Sequence, residues 1–309
     1  MSSLTAYLVR RLSLALPTLL GVTLVVFVMV RLIPGDPARV IAGLTASDEE
    51  VTRMRSELGL DRPIAAQYAI FLGRLVRGDL GLSAVTRAPV IEEVATRMRP
   101  TGLLALCSIV LATLVGLTAG IVSATQQYSV WDYLVMTVAL FGVSIPVFWL
   151  GIMLMLVFSV YLRWLPAGGY GGAGHFVLPT IALAAFSIAI IARMTRSSLL
   201  ETFNQDYVRT ARAKGVREPA VILRHALKNA LIPIITVIGL QFGALLGGAI
   251  LTETTFAWPG LGRLLVNAIS SRDYPVVQGI VLTFAIIFTA VNLVVDVLYA
   301  YVDPRIHYG

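Results

Sequence analysis

One polar stretch of this chain has the residue types of a docking loop. The segment Asp206-Tyr-Val-Arg-Thr-Ala-Arg-Ala-Lys-Gly215 mixes basic with small side chains and ends in glycine. Small residues let another backbone approach closely, and a glycine preceded by a basic residue is typical of a helix C-terminus. Glu218-Pro219 then has the pattern of a new helix start. The stretch predicts a helix, a glycine break and a second helix.

An apolar stripe supports the helical prediction for this loop. Leu199, Phe203, Tyr207 and Ala211 recur every four residues, which places them on one face of a single helix. A helix of this kind, with basic residues on its other faces, is also typical of a segment lying on lipid headgroups. The pattern alone leaves both interpretations open.

The sequence lacks the usual catalytic and metal-binding patterns. Its three histidines, His175, His225 and His307, are scattered, and neither His-Glu-x-x-His nor Gly-x-Ser-x-Gly is present. The two lysines, Lys214 and Lys228, are not followed by Ser or Thr, so a Walker-type phosphate-binding loop is excluded. We expect no catalytic residue, metal or cofactor in this chain, which is therefore predicted not to be an enzyme.

The elements that position the loop are expected to be membrane helices. The 309 residues are 57% hydrophobic and only 13% charged, whereas soluble domains have about 25% charged residues. The net charge of +7 is spread between long apolar runs rather than gathered in a patch. We therefore expect the chain to contact a lipid bilayer and not nucleic acid.

Six uncharged runs are long enough to cross a bilayer core of ~30 Å, which takes about 20 helical residues. The predicted spans are 12–30, 102–124, 134–160, 176–195, 231–251 and 276–300. The segment 193–230 carries eight basic and three acidic residues, and basic loops stay in the cytoplasm. The predicted fold is an all-α polytopic membrane protein with six transmembrane helices and both termini cytoplasmic.

Three regions follow from these spans. Residues 1–30 form an N-terminal segment with the first helix, and residues 31–101 form a small helical extracytoplasmic insertion between helices 1 and 2. Residues 102–309 form a five-helix core that contains the cytoplasmic loop 196–230.

Helix-start signals support structure within the insertion. Ser47 and Glu50 have the spacing of a capping box, and Asp61-Arg62-Pro63 indicates a second start. Pro34-Gly-Asp-Pro37 predicts a turn after the first span.

Three residues in the spans are candidates for lining or gating a pathway: Ser144, Pro146 and Gln241. Pro146 predicts a kink in the third helix, although many such kinks have no function. Gly243, Gly247 and Gly248 predict close packing of the fifth helix.

The loop resembles the cytoplasmic signature of ABC-importer permeases. In the general form of that signature Glu-Ala-Ala precedes the glycine, whereas this chain has Arg209-Thr-Ala211 and matches only the last alanine. This departure is the form of the peptide branch, which His225-Ala-Leu-Lys-Asn-Ala230 followed by Pro233 also resembles. Further resemblances follow in order along the chain: Leu32–Pro37, Leu58–Asp61, Gly78–Gly81, Arg193–Ser197, Trp258–Gly262, Arg272–Pro275 and Asp303–Ile306.

The resemblance, which is greatest to glutathione and dipeptide permeases, implies a permease subunit in the bacterial inner membrane. Such a subunit forms half of a translocation pathway for peptides such as dipeptides or glutathione. The implied partners are a second homologous permease, two cytoplasmic subunits that bind ATP, and an extracytoplasmic solute-binding protein.

The resemblance also implies a site that couples this chain to the ATPase subunits. Gly215 permits the break, and Arg212 and Lys214 are expected to pair with acidic groups of the ATPase. The implied ATPase-coupling residues are Tyr207, Thr210, Ala211, Arg212, Ala213, Lys214 and Gly215.

The alternative function is an ion-gradient-driven secondary transporter. Such a protein would need a carboxylate in mid-membrane or paired broken helices. None of the six predicted spans has a central Asp or Glu, which counts against this alternative.

Overall fold

The computed structural model describes residues 3–32, 37–43, 46–57 and 59–302. Helices and their connecting turns account for these ranges, together with one isolated bridge between Leu82 and Pro89. The helices are α1 (Ser3–Leu32), α2 (Pro37–Ala42), α3 (Asp48–Glu57), α4 (Ile64–Val76), α5 (Val90–Thr125), α6 (Val130–Ser144), α7 (Val147–Tyr161), α8 (Gly174–Phe203), α9 (Asp206–Ala213), α10 (Glu218–Thr255), α11 (Leu261–Ser270) and α12 (Tyr274–Val302). Met155–Tyr161 in α7 and Val221–Ala226 in α10 are π-helical.

Four helices, α5, α8, α10 and α12, are long and apolar enough to cross a membrane. The helices α6 and α7 pass the same test together but bend by 106° at a short break, so they count as a fifth span if the pair is one. In α1 the apolar segment Ser13–Met29 is shorter than these spans. An all-helical, multi-pass membrane protein is thus confirmed.

Contacts divide the chain into two compact units. The first contains Met1–Thr101 and Pro259–Ala290, and the second contains Gly102–Trp258 and Val291–Gly309. In the first unit, Phe27 of α1 is buried and packs against Tyr68 and Phe71 of α4, with ring centroids 5.1 and 5.8 Å away.

A buried carboxylate organises another part of the first unit. Asp273 accepts hydrogen bonds from Ser83 Oγ and from the backbone N–H groups of Ala84, at 3.0 Å, and Val85, at 3.4 Å. The loop before α5 is therefore fastened to the turn before α12, which brings two distant sequence segments together.

The helix-start predictions for the insertion are confirmed. The backbone N–H of Ser47 donates to Glu50 Oε2 at 2.8 Å, and the N–H of Glu50 donates to Ser47 Oγ at 3.3 Å. The bonds that the Ser47 N–H and the Ser47 hydroxyl donate to the Glu50 carboxylate lower the pKa of that group. Pro63 lies directly before α4. The predicted turn at 34–37 falls largely outside the described residues.

Close backbone contact holds the second unit together. Gly116 and Gly120 of α5 face α8, where a Cβ on them would lie 2.8 Å from Ile191 and 2.5 Å from Thr195. In α10 the tightest glycine is Gly239, whose Cβ would lie 2.1 Å from Val295. Within the described part of the chain Gly247 makes no such contact, because nothing lies within 4 Å of its Cβ position.

Replacing Gly120 by leucine should destabilise the second unit. The Cβ would also lie 2.6 Å from the carbonyl oxygen of Ala192, and backbone cannot yield as a flexible side chain does. Overpacking of this kind costs about 1–3 kcal/mol. We expect a lower midpoint of thermal unfolding for the detergent-purified Gly120→Leu protein.

The matched control is Gly102→Leu on the same helix, because nothing lies within 4 Å of the Gly102 Cβ position. Equal midpoints for the two variants would contradict the assignment of Gly120 as a packing contact.

Candidate functional site

The short helix α9 follows α8 after a turn at Asn204 and Gln205. Asn204 Nδ2 donates to the carbonyl oxygen of Leu200 at 3.0 Å, and Gln205 has an extended backbone. An Asn side chain that bonds to the backbone in this way competes with continuation of the helix. The predicted single stripe from Leu199 to Ala211 is therefore wrong, because it crosses a helix end.

The break changes which face of α9 is buried. Val208 is fully buried and Ala211 is 7% exposed, whereas Tyr207 is 42% exposed. Val208 thus takes the inward position that the four-residue pattern gave to Tyr207. The cluster that receives α9 consists of buried apolar side chains from α5, α8 and α10: Ala124, Leu199, Val221, Ala226, Ala230 and Ile234.

Gly215 ends α9 in the way that its sequence position predicts. Its φ is +75°, in the left-handed region that glycine adopts without strain. The N–H of Gly215 donates to the carbonyl oxygen of Arg212 at 2.9 Å, and the N–H of Val216 donates to that of Ala211 at 3.3 Å. These two bonds form a Schellman motif. The predicted arrangement of helix, glycine break and helix is confirmed.

An ion pair bridges this glycine turn. Arg212 Nη2 lies 2.6 Å from Glu218 Oε1, and Arg212 Nε lies 3.2 Å from Glu218 Oε2. The guanidinium carbon is 5.6 Å from the centroid of the Phe203 ring, and the bond to Glu218 raises the pKa of Arg212. Exposed ion pairs contribute only about 0–1 kcal/mol, so this pair mainly fixes the shape of the turn.

Of the predicted coupling residues, one is buried and the others are exposed. Ala211 is buried against the cluster. The exposed residues are Tyr207, Thr210, Arg212, Ala213, Lys214 and Gly215. Within the chain, Arg212 is paired with Glu218, and Lys214 is an exposed cation at the end of α9. The pairing of these two residues with the ATPase stays a prediction.

A cleft of about 500 Å³ lies beside the glycine turn. Its lining comes from the end of α5 and the turn after it, the end of α8, and both sides of the glycine turn. The lining residues include Gln126, Gln127, Ser129, Phe203, Asn204, Arg212 and Glu218.

A buried ion pair at the same end of the second unit was not predicted. Asp132, the third residue of α6, is 2% exposed, and its carboxylate accepts bonds from Arg196 Nε at 2.7 Å and Arg196 Nη2 at 2.8 Å. The carboxylate also accepts from Ser123 Oγ and from the N–H of Tyr128. The sequence signal that could have placed Asp132 at the start of α6 is Ser129. Its side chain accepts a hydrogen bond from the N–H of Asp132 and so caps the helix.

The three pathway candidates lie in two places. Ser144 ends α6, its Oγ bonding to the carbonyl oxygen of Leu140, and Pro146 directly precedes α7. The kink predicted at Pro146 is confirmed, with a bend of 106°. Gln241 Oε1 accepts from Ser187 Oγ at 3.1 Å and so joins α10 to α8.

Comparison with known proteins identifies the family. Residues 116–308 match the family described as binding-protein-dependent transport system inner membrane component, and residues 4–101 match its N-terminal model. The chain is 48% identical over 302 residues to the glutathione transport system permease protein GsiC of Escherichia coli K12, covering 98% of this chain and 99% of that protein. The protein of the same name from Pectobacterium atrosepticum is 49% identical over the same coverage.

Solved structures support the fold. The MetNI methionine ABC transporter in an inward-facing conformation matches with a TM-score of 0.60 and 16% identity, covering 68% of this chain and 96% of that chain. An amino acid ABC transporter solved with histidines matches with a TM-score of 0.53 and 15% identity, covering 75% of this chain and 98% of that chain.

The family match and the full-length relatives define the chain as a multi-pass membrane subunit of a transport system. The chain belongs to the family of inner membrane components of binding-protein-dependent transport systems. The assignment made from its motifs, a permease subunit of the peptide-type ABC importers, is confirmed.

Val208→Ala should loosen the attachment of α9. The change removes two buried carbon groups at about 0.8 kcal/mol each, which corresponds to roughly a tenfold rise in the detached population. We expect trypsin to cleave after Arg209 and Lys214 about tenfold faster. Thr210→Ala, on the exposed face of the same helix, serves as the control, and equal cleavage rates for the two variants would refute the anchor.

Proposed function

We propose that this chain forms half of the translocation pathway of an ATP-driven importer for glutathione or a dipeptide, and that α9 with its glycine turn is the contact for an ATPase subunit. The observation that carries the coupling role is the anchored yet exposed geometry of α9. Val208 and Ala211 hold the helix against α8 and α10, while Tyr207 and Lys214 are exposed. The solute class rests on near full-length identity to the glutathione permeases.

The proposed assembly contains a second, homologous permease, two cytoplasmic ATP-binding subunits and an extracytoplasmic solute-binding protein. ATP binds to the ATP-binding subunits, because this chain has no Walker-type loop. We place the assembly in the bacterial inner membrane, with α1 as a sixth span, both termini cytoplasmic and residues 31–101 outside. The basic character of 193–230 supports this orientation.

The anchoring of α9 explains how a contact at the surface could move the spans. Because Val208 and Ala211 pack on residues from both α8 and α10, displacement of α9 would act on both helices. The Arg212–Glu218 pair keeps the glycine turn closed during that displacement. Lys214 then remains to meet acidic groups on the ATPase subunit.

The pathway role belongs, in this proposal, to the broken third span and to the α8–α10 contact. The separation of α6 from α7 at Pro146 permits the two halves to tilt independently. Ser144, at that break, and Gln241, beside Ser187, supply polar atoms in otherwise apolar helices.

Gly215→Val should uncouple ATP hydrolysis from transport while the chain still inserts. A β-branched residue in the left-handed region costs roughly 1–2 kcal/mol, so the turn should open and misplace α9. The measurement is glutathione uptake and ATP hydrolysis by the purified complex in proteoliposomes. Gly215→Asn is the control, because Asn tolerates this conformation, and normal uptake by Gly215→Val would remove the coupling assignment.

Affinity purification of the chain from detergent-solubilised membranes tests the assembly. We expect a second permease and ATP-binding subunits to copurify with ATPase activity. Recovery of the chain alone, with uptake that depends on an ion gradient, would contradict the proposal and favour a secondary transporter.

A further inference from the structure

We propose that Asp132 and Arg196 are positioning residues, which transmit displacement of α9 to the inner half of the broken third span. This inference rests on the proposed coupling function of α9 and assigns a role to a buried ion pair outside the loop. The observations behind it are the composition of the pair's surroundings, the attachments of α6 and α7, and the short connection from α8 to α9.

The carboxylate of Asp132 joins the ends of three helices. Its four hydrogen bonds come from Ser123 near the end of α5, from Tyr128 in the following turn, and twice from Arg196 of α8. Both oxygens are satisfied, and the two bonds from Arg196 are parallel, so the relative orientation of the helices is fixed. A group so fully bonded holds geometry and offers no vacant acceptor to a solute.

The pair is the polar end of an otherwise apolar attachment of α6 to α8. Near the opposite end of α6, a Cβ on Gly142 would lie 3.2 Å from the carbonyl oxygen of Ala185 and 3.3 Å from the Ala189 side chain. Helix α6 is therefore attached to α8 near both of its ends, and the ion pair joins its first turn to α8.

The other half of the third span packs on a different part of α8 and also on Phe256. Leu154, Met155 and Phe158 of α7 pack with Phe256 and with the first turns of α8. A Cβ on Gly151 would lie 3.0 Å from the Phe256 ring. Both halves of the third span thus pack on α8, but α7 is also held by Phe256, so the break at Pro146 lies between two differently attached halves.

A mechanical connection leads from the loop to this break. Arg196 lies in the last two turns of α8, and only Asn204 and Gln205 separate α8 from α9. A displaced α9 would carry the end of α8 with it, and the guanidinium would carry the start of α6. The inner half of the span would then tilt at Pro146 while α7 stays in place.

The two possible roles of the ion pair, holding the fold together and transmitting the displacement of α9, lead to different expected results when the pair is lost. Loss of a structural pair lowers the amount of folded complex, so uptake and ATP hydrolysis fall in proportion. Loss of a positioning pair leaves the ATPase subunits bound and active but reduces the glutathione transported per ATP hydrolysed.

The experiment measures this ratio for the whole complex in proteoliposomes, with the binding protein and glutathione present. Arg196→Lys keeps the charge but loses the two-point contact, and Asp132→Asn removes the carboxylate. We expect each to lower the ratio at least fivefold with ATP hydrolysis retained. Arg193→Lys and Glu201→Gln, both exposed on α8, are the matched controls and should leave the ratio unchanged.

An unchanged ratio in Arg196→Lys would overturn the inference, as would a parallel fall of uptake and hydrolysis in every variant. If Asp132→Asn does not assemble, Ser123→Ala decides by the same ratio, because it removes one donor and leaves both charges in place. Absence of ATP-dependent uptake by the unaltered complex would instead refute the proposed function, so the two failures are distinguishable.

Discussion

The structure of the second unit depends on how closely other helices can approach α8. In lipid, apolar side chains gain little by meeting each other, so helices associate through tight packing and hydrogen bonds. In α8, 56% of the apolar membrane segment is buried inside the protein, against 22–33% for the other candidate spans. Helix α8 is therefore the helix around which the unit is built. Gly116 and Gly120 bring α5 against it, Gly142 brings α6, and the Ser187–Gln241 bond adds α10.

Because α8 is central, the position of α9 directly after its end ties α9 to the core of the unit. The cluster that receives Val208 and Ala211 draws residues from α8 and from α10, so α9 is part of the core of the unit and not an appended surface segment. The structure gives α9 a protein anchor, and this favours protein docking over the lipid-headgroup interpretation that its amphipathic pattern also allowed. Its outward side chains are polar, basic or small, and small residues let another protein backbone approach closely.

The sequence predicted those features that depend on local chemistry. The capping box at Ser47, the proline break at Pro146 and the glycine turn at Gly215 each follow from the conformational preference of a few neighbouring residues. Features that depend on distant residues were missed. The Asp132–Arg196 pair joins positions 64 residues apart. Gly247 and Gly120 cannot be distinguished in the sequence, because the packing role of a glycine depends on the helix opposite it. The burial of Val208 was missed for a different reason: a four-residue pattern assumes one helix, and the helix ends at Asn204.

The π-helical turn at Val221–Ala226 has a consequence for comparing and recombining such permeases. Each carbonyl there bonds five residues ahead instead of four, so one residue is looped out relative to an α-helix. Side chains after Ala226 are thus rotated by about 100° from the directions an uninterrupted helix would give them. The loop and the membrane helix that follows it keep separate helical registers, and one helical wheel drawn across both assigns wrong faces. A chimaera that exchanges loops between two permeases preserves the orientation of the membrane part of α10 only if the looped-out residue is exchanged as well.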